Sequence, residues 1–379
     1  MKNPSHSLLS LPALLALLLI ALSIPCRAAS EQRSFKPGEI WPDNNGVHIN
    51  AHGGGILHHD GLYYWFGEHK VEGKLGNTAQ VGVHVYSSKD LYNWKDEGIA
   101  LAVSDDPDSD IAKGCLIERP KVIYNAKTGK FVMWFHLELK GKRYDAARAA
   151  LAVSDKVTGP YRYVKSLRTN AGVWPLNATD AQKSKQPDTG DGDQDIINGK
   201  FMRRDFAGGQ MARDMTLYVD DDAKAYLICS SEENKTLHIA ELSDDYQSFS
   251  GKWTRILPAQ WNEAPAMFKK DGKYYLITSG CTGWRPNAAR SAVADSIWGP
   301  WKSLGNPCRG TEKENANTFE SQSTFILPAP GKPGSFIFMA DRWRPNNAID
   351  GRYIWLPIEW ENGKPVLHWK SKWDLSVFK

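Results

Sequence analysis

Five segments of the chain share one pattern of hydrophobic and polar positions. In each segment a polar residue opens a short β-prone run, a polar or Gly-containing turn follows, and a second run rich in aromatic or aliphatic residues completes the unit. This turn chemistry, together with the β-branched and aromatic content, is typical of β-hairpins. The predicted hairpins occupy residues 52–66, 118–135, 214–228, 263–277 and 322–339.

A further β-prone run follows each hairpin. These runs cover residues 81–87, 149–154, 237–242, 289–294 and 353–359. Repeated hairpins without long helical periodicity are typical of the four-stranded blades of a propeller. A two-sheet sandwich would also supply alternating strands, but it would not explain five matching hairpins. The sequence therefore predicts an all-β fold, a five-bladed β-propeller.

One long polar insertion, residues 171–212, interrupts the repeat and predicts a surface loop. Within it, Asp191, Asp193 and Asp195 alternate as in a calcium-binding loop. The rest of that motif is missing, so solvated charge is the better interpretation.

The N-terminal segment has the pattern of a secretory signal. Lys2 precedes an apolar run over residues 8–22, and the small residues Ala28, Ala29 and Ser30 follow. The run is short for a membrane span. We expect a signal peptide over residues 1–29, a propeller domain over residues 30–379, and export to the periplasm or the cell exterior. A lipid anchor on Cys26 is a minor alternative, because Pro25 fits that motif poorly.

The composition limits the functional classes. The 379 residues carry a formal net charge of +4, which argues against nucleic acid or an anionic membrane as a partner. The 15 Trp and 14 Tyr residues suit both core packing and flat platforms for sugars. Beyond Cys26, four cysteines remain, without a CxxC motif that would favour zinc or dithiol chemistry. Separation alone favours a Cys281–Cys308 disulfide, with buried free thiols as the alternative; these four are Cys115, Cys229, Cys281 and Cys308.

Five polar residues stand at equivalent places in the repeat, at the start of each first strand. Since the first strand of a propeller blade is innermost, these residues converge on the central channel; they are His52, Glu118, Asp214, Glu263 and Gln322. Three carboxylates held close together raise one another's pKa and keep one of them protonated near neutral pH. That is the requirement for a general acid.

These residues carry a family resemblance that spans nearly all of the chain after the signal segment. The sequence resembles glycoside hydrolase family 43, which implies a five-bladed propeller that inverts the anomeric centre, and within it the branch containing exo-β-1,3-galactanases. The matching stretches cover residues 50–55, 118–125, 213–214, 220–222, 263–267, 282–284, 321–324, 341–343 and 353–357.

The resemblance implies roles for four residues. Glu263 matches the general acid, Asp214 the carboxylate that tunes its pKa, and Glu118 a residue that binds sugar hydroxyls and shapes the site. Most of the family carries an Asp base on the first blade, where this chain has His-Gly-Gly-Gly from His52 onward. The galactanase branch also lacks that Asp, and its proposed base is a glutamine that corresponds to Gln322.

A neutral amide is a poor proton acceptor. Gln322 would need an unusual tautomer, or it would position the water while Glu320 or Asp341 takes the proton. Supporting positions in the predicted rim of the pocket are His52, Glu68, Thr282, Trp284, Arg342 and Trp343.

The implied activity is exo-hydrolysis of β-1,3-galactan with release of galactose. α-L-Arabinofuranosidase or β-xylosidase activity on the same fold remains an alternative, as does a non-catalytic carbohydrate-binding propeller. An esterase is excluded because no GxSxG motif occurs. We expect a polysaccharide or oligosaccharide as the partner and a monomer as the oligomeric state. The chemistry requires no cofactor or metal, and a structural cation in the channel is compatible with the sequence.

Overall fold

A computed structural model of the chain describes residues 1, 31–78, 80–184, 190 and 192–379. Residues 2–30 lie outside this range, and with them almost all of the predicted signal segment and Cys26. Asp191 of the predicted polar loop also lies outside it. Among the described residues, no helix has the length and apolar character needed to cross a membrane.

The described chain folds mainly into antiparallel sheets whose strands are joined in sequence order. The first four sheets contain four strands each. Their strands are β1 (His52–His59), β2 (Leu62–Lys70), β3 (Gln80–Ser88), β4 (Lys95–Ala102), β5 (Leu116–Asn125), β6 (Lys130–Glu138), β7 (Arg148–Ser154), β8 (Arg162–Leu167), β9 (Met215–Val219), β10 (Ala225–Ser231), β11 (Thr236–Leu242), β12 (Phe249–Ile256), β13 (Glu263–Lys270), β14 (Lys273–Ser279), β15 (Arg290–Ala294) and β16 (Lys302–Gly305).

Two three-stranded sheets complete the fold. Their strands are β17 (Cys308–Arg309), β18 (Gln322–Pro328), β19 (Phe336–Arg342), β20 (Arg352–Pro357), β21 (Glu359–Glu361) and β22 (Lys364–His368). The fifth sheet has the order β18-β19-β20, and the sixth has the order β17-β22-β21. The sequence predicts five sheets, and the described chain forms six. The sixth arises because the two-residue strand β17, which precedes the fifth hairpin, pairs in parallel with β22.

The innermost strands bring the sheets into a propeller. β1, β5, β9, β13 and β18 each contact the next, and β18 contacts β1, so that the sheets surround a common axis. Hydrophobic clusters fill the space between neighbouring sheets: Phe66 packs in one cluster with Phe135, and Trp65 packs in another with Trp355. These four aromatic residues are at most 1% exposed. The fold is therefore an all-β propeller with apolar packing between its sheets.

Bulges near the start of the innermost strands set the direction of the polar side chains. Register shifts follow His52 in β1, Glu118 in β5 and Glu263 in β13. The next residue in each case, namely Gly53, Arg119 or Ala264, has a positive φ of 60°, 55° or 51°. A bulge re-aims the neighbouring side chain and interrupts strand pairing, so three of the predicted channel residues share one local geometry.

The insertion and the cysteines differ from expectation. The described part of the insertion over residues 171–212 is not a plain loop, because it forms three short α-helices. The α-helices among the described residues are α1 (Asp180–Lys183), α2 (Asp193–Ile197), α3 (Lys200–Arg204) and, before β18, α4 (Glu312–Asn317). The four described cysteines are all free, which corrects the expected Cys281–Cys308 disulfide. Cys308 is buried in the core between the fourth and fifth sheets, whereas the thiol of Cys281 contacts the carbonyl of Trp261.

Candidate active site

A pocket of about 310 Å³ opens at the end of the propeller where the innermost strands begin. The structure brings four predicted residues together in its wall, namely Glu118, Asp214, Glu263 and Gln322. The predicted rim residues Glu68, Trp284 and Trp343 also line it. The remaining lining residues are Asn77, Arg119, His136, Tyr144, Arg213, Asn234 and Gly283.

Glu118 lies between a histidine and a tyrosine. Nδ1 of His136 lies 3.0 Å from Oε2 of Glu118, and the hydroxyl of Tyr144 donates a 2.8 Å hydrogen bond to Oε1. Burial alone would raise the pKa of Glu118, but the contacts with His136 and Tyr144 and the positive charge of Lys70 together outweigh it and lower the pKa to about 2. Glu118 is therefore an anion in the working range of the protein.

Asp214 is held by a guanidinium and by a backbone amide. Nη2 of Arg119 lies 3.1 Å from Oδ2 of Asp214, and the same oxygen accepts a 3.1 Å hydrogen bond from the amide of Ala264. Because Ala264 directly follows Glu263, this bond ties Asp214 to the strand that carries the neighbouring carboxyl group.

Glu263 is the carboxyl group of the pocket best suited to carry a proton. Burial raises its pKa, the negative charge of Asp214 raises it further, and the resulting pKa is about 7. The side-chain amide of Asn234 donates a 2.7 Å hydrogen bond to Oε1. A protonated carboxyl group near neutral pH, set beside an ionised one, is the arrangement expected of a general acid.

Gln322 has both ends of its amide engaged. Nη2 of Arg119 donates to its oxygen, and its nitrogen donates a 2.8 Å hydrogen bond to the hydroxyl of Ser279. A guanidinium carries donors only, so it must face the amide oxygen and not the nitrogen. These two contacts fix the plane and the orientation of the amide.

The His-Gly-Gly-Gly segment of β1 is packed too closely for side chains. A Cβ at Gly53 would lie 2.3 Å from Oε1 of Glu68, and a Cβ at Gly54 would lie 2.1 Å from the carbonyl oxygen of Phe66. Glu68 is fully buried and pairs with Lys70 at 2.8 Å. The carboxylate of Glu68 thus fills the space that a side chain at position 53 would need.

Comparisons with known proteins agree on one family. A family model described as glycosyl hydrolases family 43 matches residues 193–368. A solved family 43 β-1,3-galactosidase, BT3683, determined with galactodeoxynojirimycin, is 56% identical; the match covers 90% of this chain and 100% of that one, with a TM-score of 0.86. The chain belongs to glycoside hydrolase family 43.

Two further relatives of this family 43 glycoside hydrolase extend the comparison. 1,3Gal43A, an exo-β-1,3-galactanase from Clostridium thermocellum, is 36% identical over 89% of this chain and 66% of its own, with a TM-score of 0.72. A β-D-galactofuranosidase from Aspergillus niger is 30% identical over an alignment of 129 residues, and the match covers 31% of this chain. The match spans 37% of that curated relative's length.

Three predicted rim residues of the family 43 chain lie outside the pocket wall. His52 is 1% exposed and stacks on Trp343 at 5.0 Å between ring centroids, so it supports that ring from behind. The hydroxyl of Thr282 is bonded within its own loop, to Asn287 and to the carbonyl of Arg285. Arg342 donates to the carbonyl of Phe319. Each of these side chains packs against or hydrogen-bonds to other residues of the rim.

The two residues predicted as alternative proton acceptors differ in surroundings. Glu320 is half-exposed, lies near Arg342 and does not line the pocket. Asp341 is 2% exposed, accepts a 2.5 Å hydrogen bond from the amide of Gly53, and stands opposite Gln322 in the pairing of β18 with β19. Burial raises the pKa of Asp341 to about 7. Neither Glu320 nor Asp341 lines the main pocket, and both line a neighbouring cavity of about 320 Å³ together with Gln322, so burial is what distinguishes them.

Two tryptophans form an apolar edge of the pocket. Trp284 is 40% exposed and meets Trp343 in an edge-to-face contact, with 5.6 Å between ring centroids. Trp343 also lies 5.8 Å from the guanidinium carbon of Arg119, a distance typical of a cation–π contact. Exposed rings of this kind offer flat surfaces to the C–H faces of a sugar.

Sequence reasoning missed four pocket residues that matter for the charges. Arg119 follows Glu118 directly and was available from the motif, although its inward direction depends on a positive φ. Asn234 lies in a run of three residues with positive φ that nothing in the hairpin pattern indicates. His136 and Tyr144 come from the second strand and the following loop of the second blade, where the repeat singles out no polar position.

One group of ligand-type side chains lies in the pocket. Glu118, His136 and Asp214 have potential ligand atoms within 4.8 Å of one another. Both ring nitrogens of His136 face carboxylates, at 3.0 Å from Glu118 and 2.8 Å from Glu138. Since a histidine ligand must offer a nitrogen lone pair to the metal, this arrangement suits a protonated ring better than a metal ligand.

Proposed function

We propose that this family 43 glycoside hydrolase removes galactose from the non-reducing end of β-1,3-galactan, with inversion of the anomeric centre. The observation that carries the proposal is the pairing of a protonatable Glu263 with the anionic Asp214 in one small pocket. The similarity to a β-1,3-galactosidase and to an exo-β-1,3-galactanase supports the sugar and the linkage.

The leaving-group step belongs to Glu263. Its proton passes to the glycosidic oxygen as the bond between that oxygen and the anomeric carbon breaks, which leaves Glu263 ionised. Asp214 keeps the acid protonated until that step and stays bound to Arg119. Glu118, held as an anion, would accept hydrogen bonds from sugar hydroxyls and stabilise positive charge that develops on the ring.

The water step needs a separate proton acceptor. We assign Gln322 to orienting the water, because its amide is fixed by Arg119 and Ser279. As the water oxygen bonds to the anomeric carbon, its released proton goes to Asp341, whose raised pKa of about 7 allows it to accept a proton near neutral pH. The hydroxyl of the water ends on galactose, and the proton from Glu263 ends on the shortened galactan. Asp341 then releases its proton to solvent and Glu263 takes one up, which restores the starting state. All groups in this scheme are side chains, so the proposal requires no cofactor.

The size of the pocket supports an exo mode. A cavity of about 310 Å³ is at the small end of the range for ligand sites and suits one terminal sugar. Trp284 and Trp343 at its edge would support the terminal galactose or the adjoining unit.

Product analysis tests the proposal. Incubation with linear β-1,3-galactan is expected to release galactose alone from the first minutes, and proton NMR of fresh product is expected to show the α-anomer first. Aryl α-L-arabinofuranosides and β-xylosides serve as competing substrates. Faster turnover of either one, or initial release of the β-anomer, would contradict the proposal.

Three further features complete the proposed picture. We propose five blades, with the sixth sheet as an addition to the fifth blade, since five innermost strands contact one another in a ring and β22 contacts β20. We also propose export through the signal segment of residues 1–29, on the evidence of its composition. The exported domain of residues 30–379 is proposed to act as a monomer on polysaccharide or oligosaccharide.

A further inference from the structure

A closed circuit of contacts surrounds Glu118 in the second blade. From Glu118 it runs to Nδ1 of His136 at 3.0 Å, and from Nε2 of His136 to Oε1 of Glu138 at 2.8 Å. Oε2 of Glu138 accepts a 2.9 Å hydrogen bond from the amide of Ala147. The loop that ends at Ala147 carries Tyr144, whose hydroxyl returns to Glu118 at 2.8 Å.

The histidine in this circuit has a carboxylate at each ring nitrogen. His136 is 1% exposed and Glu138 is fully buried, so water does not replace either contact. Nε2 forms a hydrogen bond with Glu138, whereas Nδ1 and Oε2 of Glu118 form a 3.0 Å ion-pair contact without hydrogen-bond geometry. A neutral ring carries one N–H and no charge, whereas an imidazolium is attracted to both carboxylates. Burial alone would lower the pKa of His136, but its contacts with Glu118 and Glu138 raise it to about 9.

The loop in this circuit depends on Glu138. Ala147 has a positive φ of 46°, a conformation unfavourable for alanine unless the surroundings hold it. The bond from its amide to Glu138 is one such restraint, and Ala147 also accepts a hydrogen bond from the amide of Ala212. The restrained loop places Tyr144 in the pocket wall.

We propose that His136 and Glu138 are positioning residues that keep Glu118 ionised and, through the loop of Tyr144, fix both of its carboxylate oxygens toward the bound sugar. This inference deepens the proposed function and rests on it, because Glu118 is assigned there to the sugar hydroxyls. His136 and Glu138 themselves take no part in proton transfer to substrate.

Other charges bear on the same cluster from every element around it. The positive charges of Arg119 and Lys70 favour the anionic form of Glu118 and oppose protonation of His136. The surrounding carboxylates favour protonation of both residues. The charged groups concerned are Glu68, Lys70, Arg119, Asp214 and Glu263. The direct contacts with Glu118 and Glu138 are the shortest of these interactions for His136.

The first experiment uses the unmodified protein. Nitrogen-15 NMR of the histidine rings, with His136 assigned by substitution, is expected to show a doubly protonated ring at pH 7.5. A neutral ring at that pH overturns the proposal. This measurement needs no substrate, so it remains informative if the protein fails to hydrolyse β-1,3-galactan.

The second experiment is a double-mutant cycle with E118Q and H136Q. Each single substitution is expected to lower kcat/KM on β-1,3-galactan by about 10- to 100-fold, the loss expected for one hydrogen bond to a charged group. The double variant is expected to be no worse than E118Q alone, because both changes remove the same anion. Independent, multiplicative losses overturn the proposal.

Matched variants separate positioning from folding. His84→Gln removes another buried histidine–carboxylate pair, with Asp96, that does not line the pocket; it is expected to lower the melting temperature without changing kcat/KM. If H136Q does not fold, E138Q replaces it in the cycle with the same expectation. Calorimetric binding of galactodeoxynojirimycin should weaken in H136Q and not in H84Q. Weakened binding together with absent galactan hydrolysis would reject the proposed substrate while retaining the positioning role.

Discussion

The side-chain amide of Asn234 donates a 2.7 Å hydrogen bond to Oε1 of Glu263. Because Oε1 accepts this bond, the proton of the neutral carboxyl group is best carried by Oε2. In the proposed mechanism, Asn234 therefore selects one of two chemically equivalent oxygens of Glu263 as the proton donor. A fixed donor atom reduces the reorganisation needed when the leaving group departs.

Removing that proton tests the assignment of the acid. Glu263→Gln keeps the size and the Asn234 contact but cannot supply a proton, so kcat on β-1,3-galactan should fall by about 10²- to 10⁴-fold. Steady-state kinetics with melting temperatures checks this. Glu312→Gln, an equivalent change in the exposed helix α4, should leave kcat unchanged. Wild-type turnover by Glu263→Gln would refute the role of Glu263.

The pH dependence follows from the same residue. Burial and the charge of Asp214 raise the pKa of Glu263 to about 7. Because the proposed mechanism requires Glu263 to be protonated, kcat/KM should fall as pH rises through about 7. Asp214→Asn removes the negative charge and lowers the pKa of Glu263. In Asp214→Asn, the alkaline limb of the kcat/KM profile should therefore move to lower pH by about one unit. The pH dependence of kcat/KM for the wild type and for Asp214→Asn measures this shift. An alkaline limb at the same pH in both proteins would contradict the coupling between Asp214 and Glu263.

Gln322 and Asp341 should respond differently to pH. Gln322→Ala should lower kcat at every pH, whereas Gln322→Glu should retain part of it because Arg119 can pair with the new carboxylate. Asp341 must be ionised to accept a proton. Because its pKa is about 7, the activity of the enzyme should be lost as pH falls below that value. Asp341→Asn should remove this acid limb and slow the reaction. An unchanged acid limb in Asp341→Asn would assign the proton to another group.

A stability prediction concerns the ring stack behind the pocket. A Cβ at Gly351 would lie 1.3 Å from Cε1 of His52, which stacks on Trp343. The φ of Gly351 is −62°, so Gly351→Ala acts through the clash alone and should lower the free energy of unfolding by about 3 kcal/mol or more. Gly208→Ala, where a Cβ meets nothing within 4 Å, is the control. Urea unfolding of both variants gives the comparison.

The local pattern of polar and hydrophobic residues predicts much of the fold. Polar residues such as Glu263 and Gln322 open strands because each hairpin begins at the channel, and this periodic signal survives insertions between blades. The sixth sheet was missed because β17 has two residues and its partner β22 lies far along the chain. Such a non-local pairing leaves no periodicity in the sequence.

The candidate site was only partly accessible from the sequence. The residues that converge on the axis could be read from the repeat, whereas Arg119 reaches Asp214 and Gln322 through a bulge with positive φ. The sequence pattern predicts His52 on the pocket side because its polarity matches the other four strand starts. In the structure the close approach of Gly351 leaves it behind Trp343.

The crowding around Gly53 also restricts how this lineage can change. A single substitution to Asp at that position would drive its Cβ into the carboxylate of Glu68 and toward Arg119. An aspartate at this position would therefore require its neighbours to change at the same time. A designer who wants a carboxylate at position 53 would have to alter at least two residues together.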